Sequence, residues 1–242
     1  MALPKKILVV SLPRTGTTTL CRELLDLNYR VAHTAYSQAS CEAATVIADT
    51  PAYADFNELN QVWSPDLWLY LHRPLPRWLV SIRFLIEQLA AQPRNRLPPL
   101  FWRCWQRVFG EFNRAISDQQ LEHIYFRHQD WVRQSAEINQ QQLLSVTLID
   151  SSTNLTIDWK ADLMNVDSLP AEDNNSETPI STKLADLLQH HSSENIYPIT
   201  SLYCLNQGRV TAWAGIKHAN KVASQLRGPR GRQYYPYALT DT

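Results

Sequence analysis

Val10-Ser11-Leu12-Pro13-Arg14-Thr15-Gly16-Thr17-Thr18-Thr19 stands between an apolar run, Ile7-Leu8-Val9-Val10, and an amphipathic stretch carrying Leu20, Leu24, Leu25 and Leu27. The order is strand, tight loop, helix N-terminus. A loop in that position points backbone N–H groups at a common centre, and the helix dipole adds partial positive charge there. Its frame, Ser11-x-x-x-x-Gly16-Thr17-Thr18, is that of a phosphate loop. A nucleotide hydrolase, however, needs lysine where Thr17 stands, to reach the β- and γ-phosphates. The cation is displaced to Arg14, whose planar fork grips phosphate or sulfate oxygens in two places. Gly16 lets the backbone approach an anion closely, and the hydroxyls of Thr15, Thr17, Thr18 and Thr19 are further donors.

Bulk properties narrow the class. The 242 residues suffice for one sizeable core, so a single domain spanning 1–242 is expected. Basic and acidic residues balance at 23 each, so no global field favours nucleic acid or a membrane surface. Cys21, Cys41, Cys104 and Cys204 are scattered without a C-x-x-C pair. Reduced thiols in a cytoplasmic protein fit that better than a metal site or a disulfide framework. The opening residues have too short an apolar stretch for a secretion signal, and no segment approaches the ~20 apolar residues of a membrane span.

Strands are expected at Lys6–Ser11, Tyr29–His33, Leu67–His72, His123–Arg127 and Leu143–Ile149. Helices are expected over Thr17–Leu27, Cys41–Ile47, the stretch after Pro76, Leu100–Ile116 and Ser181–His190. Alternating strands and helices predict an α/β fold: a parallel sheet in a three-layer α/β/α sandwich of the phosphate-loop kind. Asp49-Thr50-Pro51 marks a turn. The acidic stretch 165–179 reads as a surface loop and Arg227–Tyr237 as a basic tail outside the core.

A second constellation is Leu71-His72-Arg73-Pro74-Leu75-Pro76-Arg77-Trp78-Leu79-Val80-Ser81. An arginine at a strand's carboxyl end and a serine one or two turns into the next helix can converge on one anion. Open α/β sheets bind their ligands at that edge.

With these two stretches side by side, the chain resembles the sulfotransferases. Pro13-Arg14-Thr15-Gly16-Thr17-Thr18 is similar to their phosphosulfate-binding loop, and Arg73 with Ser81 to their 3′-phosphate-binding pair. The family's Arg-Asp-Pro-x-x-Trp-x-x-Ser appears here as Arg73, Trp78 and Ser81 in Arg-to-Ser register, without the acidic residue after the arginine. Asp49-x-Pro51, Phe56-x-Glu58-Leu59 and Pro65-Asp66 resemble the branch with a Pro-Arg-Thr-Gly-Thr loop. The similarity covers residues 5–90 and continues faintly to 133, making 5–133 the nucleotide-binding core and 134–242 a divergent part. The resemblance implies 3′-phosphoadenosine 5′-phosphosulfate (PAPS) as donor, 3′,5′-adenosine bisphosphate as product, and no metal requirement. It also implies Pro13, Arg14, Thr15, Gly16, Thr17, Thr18, Thr19, Arg73 and Ser81 as the donor-binding set. The acceptor would be a hydroxyl or amine of a small molecule, glycan or lipid.

An acceptor hydroxyl needs a base, and the candidates are His33, Asp49 and Glu58, with His33 preferred for its pKa near neutrality. The aromatic series Trp102, Trp105, Phe109 and Phe112 reads as core, and the histidines show no metal-ligand pattern. Two other readings stand beside this one. An apolar strand ending in Asp150 resembles the magnesium strand of nucleotide-dependent kinases and hydrolases, and a non-catalytic nucleotide-binding relative would keep the anion pocket alone. Arg227-Gly-Pro-Arg-Gly-Arg232 could close over a nucleotide, or lie solvated.

Overall fold

The computed structural model describes residues 4–150, 184–185, 188–189, 199–204 and 213–226; for 147–150 and 199–204 it describes the backbone. The acidic stretch 165–179 and the basic run Arg227–Arg232 lie outside those residues.

Six parallel strands form one sheet in the order β2-β3-β1-β4-β5-β6: β1 (Ile7–Val9), β2 (Val31–Ala32), β3 (Val46–Ile47), β4 (Leu67–His72), β5 (Leu143–Asp150) and β6 (Ile199–Cys204). The helices are α1 (Thr17–Asp26), α2 (Gln38–Ala43), α3 (Phe56–Trp63), α4 (Leu75–Ala90), α5 (Pro99–Phe109) and α6 (Asp118–Ile138). Strand periodicity of two sorts the core. Ile7, Val9, Leu67, Leu69 and Leu71 face the α1 side with Leu20 and Leu24. Leu8, Val10, Trp68 and Tyr70 face the side covered by Phe56 and Leu59 of α3 and by Val132 and Ala136 of α6. Leu184 and Leu188, in the described pieces of the expected Ser181–His190 helix, join the α1 side. The three-layer α/β/α reading therefore holds.

The expected strand at His123–Arg127 is not there: those residues lie in the middle of α6. Ile124, Tyr125 and Phe126 have strand propensity, but five residues are too few to fix a period. The longer pattern, with Leu121, Ile124, Tyr125, His128 and Val132 buried, repeats at three and four. Ser117 and Gln120 complete a capping box that starts the helix.

Two other boundaries move. Cys41–Ile47 divides into the end of α2, capped by Ser37, and the two-residue strand β3, too short to carry a visible period. The expected Leu100–Ile116 helix stops at Phe109, where Gly110 takes a positive φ of 78°. Phe112 nevertheless meets Trp102 and Trp105 at centroid distances of 5.5 and 5.8 Å, because the chain folds back over α5. The aromatic cluster is core, as its spacing implied.

Two buried polar features tie the layers together. Asp55, 1 % exposed at the start of α3, accepts from Arg103 and Arg107 of α5 at 2.7 Å each and from the Cys104 thiol at 3.1 Å. His128, also 1 % exposed, donates from Nε2 to the Tyr53 carbonyl at 2.7 Å. Burial, the largest cause, pushes its pKa down to about 4, against the partial opposition of that hydrogen bond.

A folded pKa below the unfolded value means that the unfolded chain takes its proton first as pH falls. The stability at stake is therefore complete above about pH 6.5 and drains away toward about pH 4. For His128 the loss between neutrality and about pH 4.5 is on the order of 2 kcal/mol. His128→Gln keeps an N–H for Tyr53 and cannot titrate. Urea midpoints at the two pH values should show a smaller acid loss for this variant than for the wild-type chain.

Candidate active site

Parallel pairing brings the carboxyl ends of β2, β3, β1 and β4 to one edge, and His33, Asp49, Arg14 and Arg73 each follow closely after one of those ends. Residues separated by up to 59 positions in sequence are thereby set out along one edge of the sheet.

The loop after β1 is held from several sides. Ser11, fully buried, accepts through Oγ from the Leu71 backbone N–H, joining the ends of β1 and β4. Thr15 donates to the Leu12 carbonyl at 2.8 Å, so its hydroxyl braces the loop. Trp78, fully buried on α4, donates from Nε1 to the Pro13 carbonyl at 2.9 Å. Gly16 caps α1 with φ 109°, and Arg14 itself lies at φ 72°. A positive φ is uncommon for a residue with a side chain, and such outliers concentrate at functional sites.

Here the two stretches of sequence meet. Arg14 Nε donates to Ser81 Oγ at 3.0 Å, and Arg73 Nη1 donates to the Arg14 carbonyl at 2.8 Å. The loop arginine and the Arg73/Ser81 pair form one connected basic surface. Tyr125 of α6 steadies it from behind, donating to the Arg73 carbonyl at 2.7 Å. That use of the phenol proton leaves His72 Nδ1–H, 3.0 Å away, to donate to the same oxygen. The sequence pattern contains Trp78 and Tyr125 but carries no sign of these two bonds.

The three candidate bases separate. His33 Nε2 lies 3.0 Å from Thr18 Oγ1 and 3.2 Å from Thr17 Oγ1, directly at the helix N-terminus. Its pKa is lowered, first by desolvation and further by Lys221, while Asp49 pulls the other way. Asp49, at φ 49°, accepts from the Thr50 hydroxyl at 3.2 Å and is close enough to act electrostatically on His33. Glu58 is elsewhere: its Oε1 accepts from Arg107 at 2.5 Å, in the ion-pair network of α3 and α5. Asp150 closes β5, with β4 standing between that strand and β1.

Nothing in the expected signals identified Trp213 and Lys221. Trp213 stacks on the His33 ring at 5.2 Å and 26°, and Lys221 is one of the charges acting on that ring. Both come from the C-terminal stretch, whose sequence carries no motif of the family. Among the described residues, no helix is long and apolar enough to cross a membrane, and no group of three His, Cys, Asp or Glu side chains gathers as a metal site would require.

A parallel sheet with helices packed on both faces, and a glycine-threonine loop leading from its first strand into a helix, defines a protein of the α/β class. Within that class, the sulfotransferase domain family model matches residues 35–156, half of the chain, and the chain belongs to that family. The match includes Asp49, Arg73 and Ser81. The loop itself precedes residue 35, and the sheet sets it beside them. No curated protein matches the chain.

Proposed function

We propose that the protein transfers a sulfuryl group from PAPS to a hydroxyl or amine acceptor. The observation that carries this reading is the coupled pair of contacts from Arg14 to Ser81 and from Arg73 to the Arg14 carbonyl. A donor with phosphates at both ends of its nucleoside needs two anion grips held at a fixed separation, and these contacts link the two grips. The donor set fits such a ligand: two guanidinium groups, a serine, the hydroxyls of Thr17, Thr18 and Thr19, and backbone N–H groups at the start of α1.

Arg73 and Ser81 would hold the 3′-phosphate. Arg14 and the residues Pro13–Thr19 would hold the 5′-phosphosulfate. PAPS, when bound, supplies the sulfuryl group and a leaving phosphate. Arg14 and the loop N–H groups offset the charge that builds on the bridging oxygen, and they are already in place before reaction, so little reorganisation is required. His33 takes the acceptor's proton at Nε2. Its lowered pKa keeps the imidazole neutral at pH 7, the state a base requires. The nearby Asp49 carboxylate favours the imidazolium that results.

Thermal melting tests the donor assignment. The bisphosphate product should raise the melting temperature without magnesium, and ATP with magnesium should not. Ligand that binds only the folded chain must stabilise it. The reverse pattern would assign the loop to a kinase or hydrolase instead. Binding of the bisphosphate with no PAPS consumption, across a panel of hydroxyl and amine acceptors, would mark a non-catalytic relative.

A further inference from the structure

The stretch 213–226 returns to the free edge of β2. Val31 donates to the Asn220 carbonyl at 2.9 Å, Val222 donates to the Val31 carbonyl at 2.8 Å, and Tyr36 donates to the Ser224 carbonyl at 2.7 Å. The hydroxyls of Thr34 and Ser224 meet at 2.5 Å, and Leu226 donates to Ser40 Oγ at 3.1 Å. These bonds run along both sides of His33, so the stretch is registered on the segment that carries the imidazole. Val222, 6 % exposed, packs into the core on the α3 side.

Just before this edge contact, the chain makes a short 3₁₀ turn over Trp213–Gly215. Lys221 closes it: Nζ donates to the carbonyls of Trp213 at 2.5 Å and Ile216 at 2.9 Å, and sits 5.0 Å from the Trp213 ring centroid. A lysine bound to two carbonyls and lying over an indole holds that ring at a fixed angle. The face of the indole is laid against His33. On the other side, Nε2 meets the Thr17 and Thr18 hydroxyls. A neutral imidazole turns easily about its bond to Cβ, and contacts on its face and at its far nitrogen together remove that freedom.

Resting on the reading of His33 as the base, we infer that Trp213 and Lys221 are its positioning residues, so that the C-terminal stretch completes the catalytic edge. Trp213 shields one face of the imidazole from water, and Lys221 fixes Trp213 and adds a positive charge nearby. The charged groups acting on His33 are then Asp49, from the turn after β3, and Lys221, from the returning stretch. Removing the indole relieves desolvation, and removing the ammonium relieves repulsion of the imidazolium. Both changes shift the His33 titration in the same direction, upward.

The test is the NMR titration of the His33 ring in the full chain, for wild type, Trp213→Ala, Trp213→Phe and Lys221→Met, with His33→Gln to assign the signal. The wild-type midpoint should lie below the ordinary histidine value of 6.5. In Trp213→Ala and Lys221→Met it should move up toward that value, and Trp213→Phe should restore it, a pattern that general loosening of the fold does not produce. Bisphosphate affinity should be unchanged in all three, since Arg14, Arg73 and Ser81 are untouched. An unmoved midpoint in either upward-shifting variant, with native amide dispersion, would overturn the assignment; if Trp213→Ala does not fold, Lys221→Met alone decides. Failure of the sulfuryl-transfer reading is separately visible, as a wild-type chain that does not bind the bisphosphate.

Discussion

Arg14→Ala should weaken binding of 3′,5′-adenosine bisphosphate by roughly 100-fold in calorimetric titration, with little change in the melting temperature of the free chain. The magnitude follows from charge-assisted hydrogen bonds to an anion, each contributing roughly 1.5–3 kcal/mol when the fork is pre-oriented. Arg14 is pre-oriented, since its Nε already donates to Ser81 and its carbonyl is held by Arg73. Its side chain is exposed, so little packing is lost on truncation. Arg14→Lys should recover only part of the affinity, because an ammonium cannot bond Ser81 and bridge two anion oxygens with one planar group. Arg73→Ala should lose the nucleotide phosphate it grips and also release the Arg14 carbonyl. Its effect and that of Arg14→Ala should therefore be less than additive in the double variant. Unchanged binding in both single variants would place the nucleotide site elsewhere.

Trp78→Ala should cost about 3–5 kcal/mol of stability, the range for removing a buried aromatic side chain. The indole is completely buried against Tyr125, with ring centroids 5.2 Å apart, in the cluster that joins α4, α5 and α6. The same substitution deprives the Pro13 carbonyl of its donor, so the loop loses one of its supports. Trp78→Phe separates the two roles. It retains most of the packing but not the N–H, and should lose about 1–2 kcal/mol in urea unfolding while still weakening the bisphosphate. A Trp78→Phe chain that binds the nucleotide as tightly as wild type would show that the Pro13 contact does not shape the loop.

Some of this arrangement is legible residue by residue. The run Ile7–Val10 followed by Gly16-Thr17-Thr18 has a single physical reading, because an uninterrupted apolar strand, a glycine and a helix start are all local features. Leu67–His72 is recovered to the residue, since a six-residue buried strand bounded by Pro65 and Pro74 leaves little choice of boundary. The segment 123–127 went the other way. Its local propensity favours a strand, whereas the longer three-and-four pattern, the cap at Ser117 and the packing of α6 against α4 and the sheet decide for a helix. β3 is two residues long and exists because β1 and β2 leave a gap that Val46 and Ile47 fill. Glu58, a plausible base in sequence, is paired instead with Arg107, which lies 49 residues away.

By itself, then, the sequence determined the parallel α/β class, the glycine-threonine loop between β1 and α1, and the placing of Arg73 and Ser81 around the turn from β4 into α4. Each of these is written in spacings of at most about a dozen residues, the range over which strand and helix periods, caps and turns act. Only the tertiary structure decided that Arg14 bonds Ser81, that His33 rather than Glu58 faces the loop, and that Trp213 stacks on His33 with Lys221 over the indole. Those relations join segments that meet because parallel strands collect their carboxyl ends along one edge, and because the returning C-terminal stretch pairs with β2. Long-range pairing is set by the burial of the whole sheet, a cooperative property that no single stretch of residues displays.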